Sequence, residues 1–177
     1  MTARGAALSI DFRVADDHSN VFVRSSDGEW FSARGSLGRS TLVEFRTDLN
    51  RDLQAFQEVL GLELQQEDWE VVTRAVRVLF KRGRLMCKLI FGDKLTDAQA
   101  LFTKVLRTPD QPRTVWSQID LRADFHTAPP FELLPILDLS EPAWCIDSDA
   151  TLSAVLERFL GFSTIIRRIY RGNGGLD

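Results

Sequence analysis

The first apolar positions, Leu8, Ile10, Phe12 and Val14, alternate with polar ones. That period of two belongs to a strand buried on one face. A polar patch from Ala15 to Asn20 leads into Val21-Phe22-Val23. Ser26-Asp27-Gly28 then has the chemistry of a hairpin turn, with Glu29-Trp30-Phe31 opening the returning strand. The chain therefore begins as a small antiparallel meander. Gly35, Gly38 and neighbouring serines mark a loop, followed by a short run from Thr41 to Phe45.

From there the period becomes helical. Leu49, Leu53, Phe56 and Leu60 share one helical face, with Gly61 where a C-terminal cap belongs. Val72, Ala75, Val76, Leu79 and Phe80 form a second stripe. Acids Glu67, Asp68 and Glu70 precede it and bases Lys81 and Arg82 close it, as the helix dipole favours. After Gly83, a short segment carries Leu85, Met86, Leu89 and Ile90. Thr96 and Gln99 read as a capping box for a third helix with Ala98, Leu101, Phe102, Val105 and Leu106 inside, and Pro109 and Pro112 end the helical block.

A strand-like run, Thr114 to Leu121, enters the stretch DLRADFHTAPPFELLP, Asp120 to Pro135, on which the rest of the chain is organised. Two prolines there precede Phe131-Glu132-Leu133-Leu134, so a single helical turn is expected after Pro130, where a missing N–H costs nothing. Glu132 is one carboxylate among apolar neighbours. Its oxygens need backbone N–H groups or an arginine, because a buried polar group without a partner costs roughly 2–7 kcal/mol. Downstream, after the apolar run Ile136 to Leu139, Ser148 and Asp149 can cap a helix faced by Leu152, Val155, Leu156, Phe159 and Leu160 and ended by Gly161. Phe162 to Tyr170 reads as a strand. The pattern predicts an α+β fold in which an N-terminal antiparallel β meander, a central helical block, and further strands and a helix after the PFELLP turn make one domain over residues 1–170. Residues 171–177, glycine-rich and patternless, are expected to be a flexible tail.

The organising stretch resembles the signature of CHAT domains, relatives of the caspase-like cysteine peptidases. In that family a strand leads through a short loop into Pro-Trp-Glu-Leu-Leu. The matching residues here are Pro130, Phe131, Glu132, Leu133 and Leu134, with Phe131 in place of Trp. Upstream, Gly83 to Phe91 is similar to the family's "G-x-x-L-x-x-x-L-F" helix. Downstream, Phe159 to Arg167 is similar to the strand ending in "I-V-R". The resemblance covers roughly the last two-thirds of the chain, in the family's order. It implies a non-catalytic N-terminal portion of a CHAT-like protein, scaffolding a caspase-like core in bacterial defence, stress or cell-death signalling. The family's catalytic His and Cys lie beyond the "I-V-R" strand, so no position of this chain inherits them.

With 177 residues, 44% of them hydrophobic, the chain can bury a real core. Its net charge of −3 and pI near 5.5 argue against general nucleic-acid affinity. The start of the chain lacks the apolar segment of a signal peptide, and no apolar run is long enough for a membrane span. Cys87 and Cys145 lie in apolar settings, so both are expected to be reduced core residues of a cytoplasmic protein, with a disulfide between them the alternative.

Candidate chemistry is sparse. A thiolate needs a base within reach, and His126 with Cys145 is the only weak candidate pair. No spacing among His18, His126, Cys87 and Cys145 suits zinc, and no phosphate loop is present, so neither metal nor cofactor is expected. Residues 71–88 hold six bases and no acid. Arg74, Arg77 and Lys81 fall opposite the apolar stripe and are expected to form a solvated face.

The expected partner is a caspase-like catalytic segment or another protein, with homo-oligomerisation also open. Neither nucleic acid nor membrane is expected. Phe162, Ile165, Ile166, Ile169 and Tyr170 are the candidate interface, since they load a terminal strand with more apolar surface than an edge tolerates. Arg167 completes the family-like signature. The alternative reading is a self-contained protein–protein interaction module with no peptidase link.

Overall fold

The computed structural model describes residues 6–60, 69–106, 117–124 and 128–170. The N-terminal alternation becomes β1 (Leu8–Val14), β2 (Ser19–Ser25) and β3 (Trp30–Gly35), paired antiparallel in sequence. Long helices follow: α1 (Arg39–Leu60), α2 (Trp69–Phe91) and, after a 3-10 turn at Gly92–Lys94, α3 (Leu95–Leu106). The chain then returns as β4 (Gln118–Ala123), which lies parallel to β1. Another 3-10 turn, Phe131–Leu133, and the short helices α4 (Asp149–Leu156) and α5 (Leu160–Ser163) lead to β5 (Ile165–Tyr170), parallel to β4. The sheet order is β3-β2-β1-β4-β5, a mixed sheet in an α+β fold. Parallel neighbours need a crossover, and the α1–α3 block supplies the one between β1 and β4.

The core lies on one face of the sheet. Leu8, Ile10, Phe12, Val21, Val23, Ile119 and Leu121 are buried there against the apolar stripes of the helices. α1 contributes Leu42, Phe45, Leu49 and Phe56, and α2 contributes Val72, Val76, Leu79, Met86 and Ile90. An ion-pair cluster joins these two helices, where Arg82 reaches Asp48 at 3.1 Å and also binds Asp52.

Several local expectations change in three dimensions. Thr41 to Phe45 forms the first turns of α1. α2 runs unbroken through Gly83, because Val72, Val76, Leu79, Gly83, Met86 and Ile90 keep one helical face across it. α3 starts at Leu95 without a Thr96 capping box, since the preceding 3-10 turn meets the Leu95 N–H with the Gly92 carbonyl. Ser148 does cap α4, its hydroxyl accepting from the Thr151 N–H in a capping box. That helix ends at Leu156 rather than Gly161, and the last strand starts at Ile165 rather than Phe162. Gly61, Pro109, Pro112, Thr114 and the tail 171–177 lie outside the described residues.

The basic face of α2 is not uniformly solvated. Arg77 lies over the Trp144 ring at 5.1 Å, and Arg84 pairs with Glu141 at 3.5 Å. Trp144 donates to Glu141 at 3.0 Å, which holds that carboxyl below its ordinary range. The loop before α4 thus covers part of a helix surface that spacing alone assigns to water. Arg74 is exposed and pairs with Glu70 at 3.7 Å.

Candidate functional site

Pro130 to Leu134 is the point where α2, α5, β1 and β5 meet. Phe131 is buried and packs edge-on against Phe12 of β1, with ring centroids 5.9 Å apart. Leu134 is buried, Leu133 is partly buried against the core, and the Leu134 carbonyl accepts from the Leu160 N–H at 3.1 Å. Two glycines allow the close approach. A Cβ on Gly83 would stand 2.3 Å from the Leu133 oxygen, and one on Gly161 would stand 2.8 Å from Glu132 Cβ. Neither glycine therefore ends a helix: each is a place where another segment touches backbone. The bond from Leu160 and the contact at Gly161 also explain why the chain breaks after α4 and restarts as α5.

Glu132 accepts from Arg168 of β5, with Nε to Oε1 at 2.9 Å and the second guanidinium nitrogen to Oε2 at 2.5 Å. The same nitrogen donates to the Pro129 carbonyl at 3.2 Å. This fork-to-fork pairing is the stronger kind of charged hydrogen bond. It ties the turn to the last strand rather than to β4, which precedes it.

The neighbouring Arg167 points to the opposite face, as strand alternation requires, and forms its own fork on Asp120 of β4, with Nε at 2.9 Å. Gln118 also donates to Asp120, at 2.8 Å. The Arg167 hydrogen bonds hold the Asp120 carboxyl below its ordinary range. Adjacent arginines on opposite carboxylates fix the register of β5, because a slip of one residue would exchange their faces.

β5 lies at the edge of the sheet, paired only with β4 among the described residues. Ile165 is 52% exposed, Tyr170 44% and Phe162, in α5, 45%. Ile166 instead packs against the core, and Ile169 is half-buried.

The weak catalytic candidates stay apart in status. Cys87 is fully buried in α2, and burial pushes its thiol well above the ordinary range. Cys145 is not a core residue: it is a free, exposed thiol beside Trp144, on the outer side of the loop that covers α2. His126 lies outside the described residues. His18 hydrogen-bonds Asp17 at 2.6 Å in the β1–β2 connection. Among the described residues no group of three or more His, Cys, Asp or Glu side chains is placed to hold a metal ion, and no helix is long and apolar enough to cross a membrane.

Fold and site together define an α+β module whose last described strand is pinned by paired arginine forks and, among the described residues, has no partner along its outer edge. Compared with models of known families, with curated proteins and with solved structures, the chain finds no match.

Proposed function

We propose that this chain is a non-catalytic scaffold portion of a caspase-like, CHAT-type peptidase system, and that further polypeptide adds to its sheet along β5. One observation carries the reading: β5 is a parallel edge strand with exposed apolar side chains at Ile165 and Tyr170. Parallel strands are ordinarily covered on both faces. A free edge offers unpaired backbone groups beside a sticky surface. The turn that resembles the family's Pro-Trp-Glu-Leu-Leu motif holds this edge through Glu132 and Arg168. That is what a scaffold needs if it is to present one strand in a fixed register. By the same resemblance, the setting is bacterial defence, stress or cell-death signalling in the cytoplasm, with the catalytic thiol and base supplied by the added segment.

The test is co-purification with a caspase-like segment, from the same gene product or a second chain. Ile165→Lys and Tyr170→Lys should weaken capture, with melting curves to check the fold because Tyr170 also interacts with Arg168, whereas Ile166→Lys would disturb the core. The 177-residue chain alone should cleave no peptide library. Cleavage that disappears on Cys145→Ala, or binding indifferent to both β5 substitutions, overturns the proposal.

A self-contained interaction module is the second reading. The continuous buried core, which already includes the PFELLP turn, favours it. A monodisperse monomer that neither self-associates nor binds along β5 would select it.

A further inference from the structure

The sheet face opposite the helices carries a surface of its own. Strand alternation places Trp30, Phe22, Arg24 and Arg34 there, at the β2–β3 end far from β5. Trp30 is 63% exposed and Phe22 41%, and their rings lie 5.6 Å apart, tilted by 31°. Beside them a shallow depression is lined by Asp11, Arg13, Asn20, Phe22, Ser32 and Arg34. A water-facing strand surface ordinarily alternates to polar residues, so this paired aromatic patch departs from the pattern.

The charge on this face is one-sided. Its described strand positions hold five arginines and two aspartates, and no lysine. Asp11 sits 3.4 Å from Arg13, and Asp120 is taken by Arg167. No close ion pair is made by Arg24, Arg34 or Arg122 among the described residues, although Arg34 lies near enough to Asp17, and Arg122 to Asp120, to attract those carboxylates. The chain as a whole is acidic, at −3, so this concentration of positive charge is local.

We propose that this face docks a short acidic segment of a partner polypeptide. Trp30 and Phe22 receive an apolar side chain, while Arg24, Arg34 and Arg122 meet its carboxylates. Two features select a polypeptide over nucleic acid. Aromatic residues and arginine are the types enriched where proteins meet, whereas lysine is depleted. Three cations without a close ion pair among the described residues also fall short of the roughly 6–10 phosphate contacts of a strong nucleic-acid binder. The spacing fits an extended chain. Strands stand about 4.8 Å apart and the register sets Arg34 on β3 two residues along from Arg122 on β4, so the two lie about 16 Å apart, the reach of about five residues at 3.3 Å each. The inference does not rest on the β5 reading, and its test residues lie on other strands.

The full 177-residue chain would be titrated with a fluorescein-labelled decapeptide of alternating Glu or Asp and Phe or Val. A charge-reversed peptide and labelled 15-nucleotide oligo-dT serve as comparisons. The acidic peptide should bind, more weakly as salt is raised, and the reversed peptide should not. Arg24→Glu with Arg34→Glu should weaken binding by about tenfold or more, and Trp30→Ala by a smaller factor. Melting curves identify variants that have unfolded. If the Trp30 variant does not fold, Arg24→Gln with Arg34→Gln takes its place and should also weaken binding. Absence of binding, binding unchanged by the arginine variants, or tighter binding of oligo-dT would overturn the proposal.

Discussion

Replacing Glu132 with Ala removes both acceptors of the Arg168 fork and asks whether this ion pair fastens the organising turn to β5. The magnitude follows from exposure. Removing one partner of a fully buried pair costs about 3–5 kcal/mol, and exposed pairs contribute about 0–1 kcal/mol. Here the Arg168 side chain keeps 24% of its accessible surface and Glu132 keeps 39%, so water screens part of the attraction. Arg168 also retains the Pro129 carbonyl when Glu132 is gone. The loss should therefore be about 1–2 kcal/mol, which in a chain of this size lowers Tm by about 2–8 °C. Urea denaturation of Glu132→Ala, Arg168→Ala and the double variant separates the pair from the packing of Phe131 beside it. Molar salt should remove only part of the coupling, because neither group is freely solvated. A coupling energy under about 0.3 kcal/mol, within the scatter of independent sites, or an unchanged midpoint for Glu132→Ala, would refute the claim.

Three further outcomes are expected. Gly83→Ala should destabilise the fold by about 1–3 kcal/mol through overpacking, even though Ala favours a helix interior by about 1 kcal/mol, because its Cβ would press on the Leu133 oxygen and Pro135; a stabilised variant in thermal melts would disprove the close approach. Asp120 has a folded pKa held below the ordinary 3.8 by Arg167, so its contribution is present above that value and is lost as pH falls through the lower folded one. Asp120→Asn should accordingly flatten the acid limb of stability against pH, and superimposable acid limbs would count against the pairing. A thiol reagent should label Cys145 in the native protein and reach Cys87 only after denaturant is added; prompt labelling of both thiols would contradict the burial of Cys87.

Periodicity alone was enough for the parts whose partners are near in sequence. The alternation from Leu8 to Val14 defines β1, the turn chemistry at Ser26 to Gly28 closes the β2–β3 hairpin, and the apolar stripe from Val72 to Phe80 marks the first half of α2. Ser148 could be read as a cap because its partner, Thr151, is only three residues away. The turn after Pro130 and the need of Glu132 for a donor were also legible, since proline geometry and the cost of an unpaired carboxylate are local facts.

What depends on distant segments was decided by packing. Gly83 and Gly161 look like helix ends in one dimension, and only the approach of the PFELLP turn shows each as a contact point. Arg77 leaves the solvent because Trp144 folds over it, and Cys145 leaves the core because that same loop turns its other side outward. No spacing rule could pair Glu132 with Arg168 or Asp120 with Arg167, which are separated by 36 and 47 residues. The sheet order, which sets β5 at an edge and gathers arginines from β1 to β5 on one open face, arises when α1 to α3 carry the chain across to a strand parallel to β1. Hydrophobic period reports which side of an element is buried. Which element lies against that side is settled only when the whole chain competes for one core.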